Sequence, residues 1–447
     1  MKLNHKKIFN KFINKYQIFG IESDFHDYSR VTGPVIPAWI KEQTIYEIYV
    51  RAFSEEGTFK GVQKNLKYIK SLGIDIIWFM PIYPIGKTER KGRLGCPYSV
   101  QNYFNVNPEY GTNTDFKNLV ETAHNSGMRV IIDLVVNHVA HDYVGFEKHP
   151  ELALRDNSIK PTRKVADWAD VVDLDYGNKD TWNHVLEIMQ YWIEIFDIDG
   201  YRCDVAGLVP TKFWEWVIPQ IQSLKKDIFM LAEWESPLLH KKVFHSTYDW
   251  IFYSIVLDVV EGKAPASNIA DWIETKKYIY PKNSLFLRFL ENHDKVRAAK
   301  LFNKKQLAAL LILIFSIDGI PLIYNGQEIG IKHYPSLFEK ETINWKFKNL
   351  QIHKLTSELI LLRKNYHALG TKNYKFIGHT HSRYLLVYKK YHNNTLLVII
   401  NFSTSILDIS KISELNRLSN YNLLLNTHPN YSMKSFQPYQ AIILLEK

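Results

Sequence analysis

The sequence predicts an α/β fold, a (β/α)8 TIM barrel with a short domain inserted after its third strand and a C-terminal antiparallel β-sandwich. Three observations predict it. Apolar runs of strand length alternate with amphipathic segments over most of the 447 residues, the rhythm of βα units around a parallel sheet. Three acidic residues each close such a run: Gly200-Tyr201-Arg202-Cys203-Asp204, Phe229-Met230-Leu231-Ala232-Glu233 and Phe286-Leu287-Arg288-Phe289-Leu290-Glu291-Asn292-His293-Asp294. From about Gly370 the pattern changes to short strands joined by polar turns.

The elements follow in chain order. Residues 1–37 form an N-terminal extension that opens on Met1-Lys2-Leu3-Asn4-His5-Lys6-Lys7, basic like the head of a signal peptide. Lys11, Asn14 and Lys15 interrupt the apolar core that should follow, so a cytoplasmic chain with a mobile basic arm is expected. The barrel takes 38–369, with strands at 45–50, 74–80, 129–135, 200–204, 228–233, 248–253, 285–290 and 321–324. Val62, Leu66 and Ile69 mark a helical stripe ending near Gly73, and Trp182, Val185, Leu186, Met189, Ile193 and Phe196 mark another. Residues 139–178 are polar and hold no helix of normal length, and so long an excursion inside a barrel is usually functional. The apolar run 307–317 is shorter than the roughly 20 residues of a membrane span and reads as a buried helix.

Ile352, Leu355, Leu359 and Leu362 carry the last barrel helix. In the C-terminal domain, 370–447, runs at 384–388 and 396–400 flank the turn His392-Asn393-Asn394, and Ala441-Ile442-Ile443-Leu444-Leu445 supplies a further strand.

Composition narrows the function. A hydrophobic fraction of 46% fills a sizeable core, and two cysteines, Cys96 and Cys203, exclude a disulfide scaffold and suit a reducing compartment. The net charge of +10 comes from scattered lysines, which argues against a nucleic-acid partner. In a parallel barrel every strand ends at one face, so Asp204, Glu233 and Asp294 meet there with Arg202, His138 and His293. A carboxylate beside an apolar strand costs several kcal/mol in desolvation unless it is compensated, so three together point to catalysis.

The motifs, in order, resemble those of the α-amylase superfamily, glycoside hydrolase family 13, from roughly Trp39 onward. They are Asp133-Leu134-Val135-Val136-Asn137-His138, Asp173-Leu174-Asp175-Tyr176-Gly177-Asn178, the runs ending in Asp204 and Glu233, Asn292-His293-Asp294, and the segment from Gly319 to Glu328. The resemblance implies cleavage of α-1,4-glucosidic bonds in maltodextrin or glycogen-type glucans with retention, by two carboxyl groups about 5–5.5 Å apart. It implies that Asp204 is the nucleophile, Glu233 the general acid and base, and Asp294 the stabiliser of the transition state. Arg202 would keep Asp204 ionised, and the fields of Asp204 and Asp294 would raise Glu233. His138 and His293 would hydrogen-bond the sugar, and Tyr98 would stack beneath it.

A transglycosylase would use the same intermediate, with loop shape deciding between it and hydrolysis. A catalytically inactive glucan-binding barrel is opposed by the intact acids. No cofactor is implied for the chemistry and no membrane partner is expected. Many relatives place Lys-His after the nucleophile motif for substrate and calcium, whereas here Val205-Ala206-Gly207-Leu208 follow. Asn137 with Asp173 or Asp175 could offer calcium oxygens, short of the six to eight such an ion takes, and no metal ligand is assigned. Trp168, Trp250, Tyr334, Phe338 and Trp345 fall in loops able to line a glucan cleft.

Overall fold

Alternation along each strand decides what this fold can do, because residues two apart share a face. The computed structural model describes residues 2–18, 24–346, 348–377, 385–410, 415, 418–429, 432 and 434–447. The strands up to the third of the barrel are β1 (Ile45–Ile48), β2 (Ile76–Phe79) and β3 (Arg129–Leu134). The insertion then contributes β4 (His138–Ala140) and β5 (Val171–Asp173), an antiparallel pair outside the barrel with His138 opposite Asp173. The remaining barrel strands are β6 (Gly200–Cys203), β7 (Phe229–Ala232), β8 (Ser246–Tyr248), β9 (Leu285–Arg288) and β10 (Ile320–Tyr324). They close in the order β1-β10-β9-β8-β7-β6-β3-β2, every pairing parallel.

Inside the barrel Ile45, Ile76, Ile131, Phe229, Leu287 and Ile320 pack as an apolar plug. Two residues further along the same inward face come Glu47, Asp133 and Arg202, beside Trp78 of the plug, so the plug gives way to polar side chains toward the strands' C-terminal ends. The outward faces meet the helices in the main core. Within it the helix Lys304–Ser316 buries every residue from Leu307 to Ser316, and the helix Lys179–Phe196 buries Val185, Met189, Ile193 and Phe196.

Six expected strands lie in their predicted stretches, trimmed at the ends, and the last begins one residue earlier, at Ile320. The sixth differs: its strand is Ser246–Tyr248, and 250–253 begins the helix Trp250–Val260, with Asp249 accepting from the Phe252 N–H at 3.4 Å. The reason is periodicity. Ile251, Phe252, Ile255, Val256, Val259 and Val260 recur at helical spacing and are all buried, a pattern that four residues cannot reveal.

The N-terminal segment is a second correction. It is not a mobile arm but a helix, Lys2–Tyr16, whose Phe9 and Phe12 are buried in the main core. Phe12 meets Trp272 edge-on at 5.7 Å. Lys11 donates to Asn268 Oδ1 at 2.9 Å, while Tyr16 and Lys15 reach Asp258 at 2.7 and 2.6 Å.

After the helix Leu350–Asn365 come β11 (Tyr374–Ile377), β12 (Leu385–Tyr391), β13 (Thr395–Asn401), β14 (Leu407–Asp408), β15 (Tyr421–Asn426), β16 (Ser435–Phe436) and β17 (Ala441–Glu446). Tyr384, the first residue of an expected strand, lies outside the described residues. A five-stranded antiparallel sheet, β11-β12-β13-β17-β15, joins the two-stranded β14-β16 pair. Leu396, Val398 and Ile400 turn one face of β13 to the main core, and Leu397 and Ile399 turn the other to Phe436, Ile442 and Leu444. Among the described residues no helix is long and apolar enough to cross a membrane.

Candidate active site

Arg202 organises the site. It is wholly buried, and its Nη1 donates to Asp133 Oδ1 and Oδ2 at 2.8 and 3.0 Å and to Asp204 Oδ1 at 2.9 Å. Its Nη2 stands 2.8 Å from Glu233 Oε1, close enough for an ion pair but off the line of a hydrogen bond. The guanidinium also lies against Trp78, Tyr98 and Tyr248, with centroid distances of 5.2, 5.7 and 5.7 Å. Register explains the meeting: Asp133 and Arg202 are paired residues on adjacent strands, and Asp204 follows two residues after Arg202. Glu233 Oε2 accepts the backbone N–H of Val205 at 2.9 Å, which ties the end of β7 to the end of β6.

Burial, more than neighbouring charge, sets the proton states. Burial pushes Glu233 up to about 8, reinforced by Asp204 and Asp294 and opposed by Arg202 and the Val205 N–H. The sequence reading named only the two acids as the cause, and burial is the larger one. Asp204 is also pushed up, to about 6, because burial and the charges of Asp133 and Asp294 outweigh Arg202. Arg202 therefore limits the rise instead of depressing the nucleophile candidate below its ordinary range. At neutral pH Asp204 is ionised and Glu233 holds its proton.

The two histidines differ in charge. Burial alone would lower His293, but Asp294 and Glu47 overcome it and raise it to about 9. Its Nδ1 is hydrogen-bonded to Glu47 Oε1, and its Nε2 is 3.3 Å from Asp294 Oδ2 and 2.6 Å from the Tyr98 hydroxyl. Burial instead pulls His138 down to about 4, leaving it neutral 4.0 Å from Asp204 Oδ2. Tyr98 stacks on His293, centroids 5.3 Å apart at 20°, and donates to Asp133 Oδ2 at 3.2 Å.

All seven residues singled out for catalysis or substrate binding thus gather here. Tyr98, His138, Asp204, Glu233, His293 and Asp294 line a cavity of about 230 Å³, with Arg202 beneath it. Asp294 is the open one, its side chain 42% exposed. Trp168, 5.1 Å from His138, and Phe338 complete the wall. Trp250 packs on Tyr248 and Phe289, Trp345 on Phe53 and Tyr68, and Tyr334 donates to the His293 carbonyl outside the cavity. The loop after β2 grips the loop after β10 along one flank: Leu94 N–H donates to Phe338 O at 3.0 Å and Arg93 N–H to Glu339 Oε1 at 2.7 Å. A larger hollow of about 1080 Å³, bounded by Phe302, Leu307, Ile331 and Asn349, has no carboxylate in its lining and is not the site.

Sequence reasoning gave no role to Glu47 and Asp133, which hold His293 and Arg202. Each is a lone carboxylate inside an apolar strand, the same signal that marked the acids. The side chains considered for calcium are hydrogen-bonded within the chain. Asn137 donates to Asp173 Oδ1 at 3.4 Å, Asp173 Oδ2 accepts the Lys164 N–H at 3.0 Å, and Asp175 Oδ1 accepts the Gly177 N–H at 2.8 Å. Among the described residues no group of three or more His, Cys, Asp or Glu is arranged to hold a metal.

This barrel, with its strand-end carboxylates around a buried arginine, defines a protein of the glycosidase-barrel class. The chain belongs to the α-amylase family, whose catalytic domain it matches over residues 36–170 and 165–358. It is 26% identical over 387 residues to the α-amylase MalA of Haloarcula japonica, covering 82% of this chain and 56% of that protein. It is 30% identical over 353 residues to α-amylase 2 of Dictyoglomus thermophilum, covering 71% of this chain and 60% of that one. The chain thus spans less than two thirds of the length of these relatives. The crystal structure of an α-amylase from Lactobacillus plantarum superposes with a TM-score of 0.82 at 32% identity, over 91% of this chain and 99% of that one.

Proposed function

We propose that the protein hydrolyses α-1,4-glucosidic bonds in maltodextrin or glycogen-type glucans with retention, through a covalent glycosyl intermediate on Asp204. The observation that carries this reading is the single guanidinium shared by Asp204 and Glu233. Adjacent nitrogens of one planar group hold the two carboxyl groups side by side. That favours direct displacement, at about 5–5.5 Å, over the 6.5–9.5 Å spacing that seats a water between them.

The steps follow from the proton states. Glu233 gives its proton to the leaving glycosidic oxygen as Asp204 attacks the anomeric carbon. Asp204 Oδ1 is held by Arg202, so Oδ2, on the His138 side, is the attacking atom. Glu233, now ionised, takes a proton from the water that cleaves the glycosyl ester. Asp294 faces the cavity and accepts sugar hydroxyls, His293 beside it carries positive charge, and neutral His138 completes the hydrogen-bonding set. The α-glucan is the partner, no cofactor enters the chemistry, and the chain acts in the cytoplasm, where the free thiols Cys96 and Cys203 stay reduced.

Proton NMR of maltooligosaccharide cleavage tests the reading. The α-anomer should form first, and initial β-anomer would overturn retention. Products longer than maltotriose formed from maltotriose would assign the second step to a sugar hydroxyl in place of water. Full activity in Asp204→Ala would remove the nucleophile.

A further inference from the structure

At the opposite end of the barrel, where β9 and β10 begin, a second cavity of about 380 Å³ lies between the helix Ser267–Ile279, the N-terminal segment and the start of β11. Lys276, 3% exposed, forms its floor, and the exposed lysines Lys277, Lys282 and Lys372 stand at its rim. Asp318 is the one carboxylate in its lining, and Tyr374 flanks it.

The charges here do not balance. Lys276 pairs with Asp249 at 2.5 Å, but the same Asp249 oxygen is also bound by buried Arg288, which reaches on to Asp318 at 3.4 Å. Lys277 pairs with Glu274 at 2.8 Å. The other cations are hydrogen-bonded to neutral carbonyls, Lys372 to Ser284 O, buried Lys390 to Thr371 O at 2.7 Å, and buried Arg363 to Phe315 O and Ile317 O at 2.8 and 3.0 Å, and they share the field of Asp318, with Glu42 added at Arg363. A carbonyl satisfies an N–H but cancels no charge, and buried charge left uncancelled is costly. Glu235 is pushed up by burial and then by Asp249, which weakens the negative charge it can offer. Burial draws Lys276 down to about 8 and Lys390 to about 7 despite Asp249 and Asp318, so an anion in the cavity would hold both in their charged form.

We propose that this cavity binds a phosphate group, as the free ion or as the ester of a small metabolite. A phosphate carries about −1.5 to −2 charges near neutrality, opposite in sign to the excess, and lysines bind it as point charges from several directions. The cavity exceeds what one phosphate fills, which leaves room for an ester's body. The site sits where the barrel, the N-terminal segment and the C-terminal sheet meet, so occupancy ties the three together.

Calorimetric titration of the full chain with inorganic phosphate and with glucose 6-phosphate, in chloride of matched ionic strength, tests the site. Saturable binding is expected, with Lys282→Met and Lys372→Met each weakening it about tenfold or more, the worth of one charge-assisted contact. Both variants should keep glucan hydrolysis, since they lie far from the catalytic cavity, which shows that they fold. Tighter binding of inorganic phosphate identifies the free ion as the ligand, and tighter binding of the sugar phosphate identifies an ester. No saturable heat with either probe, or equal affinity in the double variant, overturns the proposal.

Discussion

Glu47 Oε1 accepts the Nδ1 proton of His293, and both side chains are buried. Glu47 lies on β1 and His293 in the turn after β9, strands separated in the barrel by β10, so the bond is not part of a ladder. Glu47→Gln removes a negative charge that holds the His293 imidazolium, whose midpoint of about 9 should fall toward neutrality. Imidazole nitrogen NMR across pH reads it directly, and an unmoved midpoint would refute the link. Loss of this charge-assisted bond should also lower kcat/KM by about tenfold or more.

Activity should follow a bell in pH. Asp204 must be ionised, so kcat/KM rises through about 6, and Glu233 must be protonated, so it falls through about 8. These midpoints belong to the interacting cluster as a whole. Glu233→Gln should abolish the descending limb and reduce kcat by roughly 10²–10⁴-fold, while a descending limb that survives would assign it to another group.

Arg202→Met leaves Asp133, Asp204 and Glu233 buried without their shared cation. The expected loss of stability is about 3–5 kcal/mol near neutral pH. Its pH dependence has a definite sign. The folded-state carboxyl pKa values rise further above their unfolded values, so the folded form binds more protons, and stability falls as pH rises through the folded values. Urea unfolding at pH 5 and pH 8 should therefore show the larger deficit at pH 8, and the reverse order would reject the account.

Phe12→Ala should destabilise the fold by about 3–5 kcal/mol, because a fully buried ring in contact with Trp272 leaves a cavity. Lys15→Ala removes a partly exposed ion pair with Asp258 and should change stability by less than about 1 kcal/mol. Paired denaturation curves decide whether packing or charge anchors the helix, with equal effects pointing away from packing.

The gathering of Asp204, Glu233 and Asp294 was readable in the sequence because each interrupts an apolar run at its end, and Arg202 because residues two apart share a face. Glu47 and Asp133 carried the same mark, a lone carboxylate inside an apolar strand. Their partners depend on strand order and register, which no local pattern encodes. The size of the Glu233 shift was hidden for a related reason: burial is a property of the assembled barrel. The helix at Trp250–Val260 was mistaken at its start because a run that short fits either period. The docked N-terminal helix displayed its Phe9 and Phe12 spacing openly, but Trp272, which gives that spacing a purpose, lies far along the chain.

That distance has a consequence for synthesis. Lys11 and its partner Asn268 are 257 positions apart, and Tyr16 and Asp258 are 242 apart. At ribosomal rates of about 5–20 residues per second, the helix Lys2–Tyr16 leaves the ribosome on the order of 10–50 s before its landing surface exists. During that interval Phe9 has only Phe25 and Phe12 only Tyr16 beside it, without Trp272. The segment emerges early and is fastened late, and its lysines keep the waiting helix hydrated until the helices that receive it have been made.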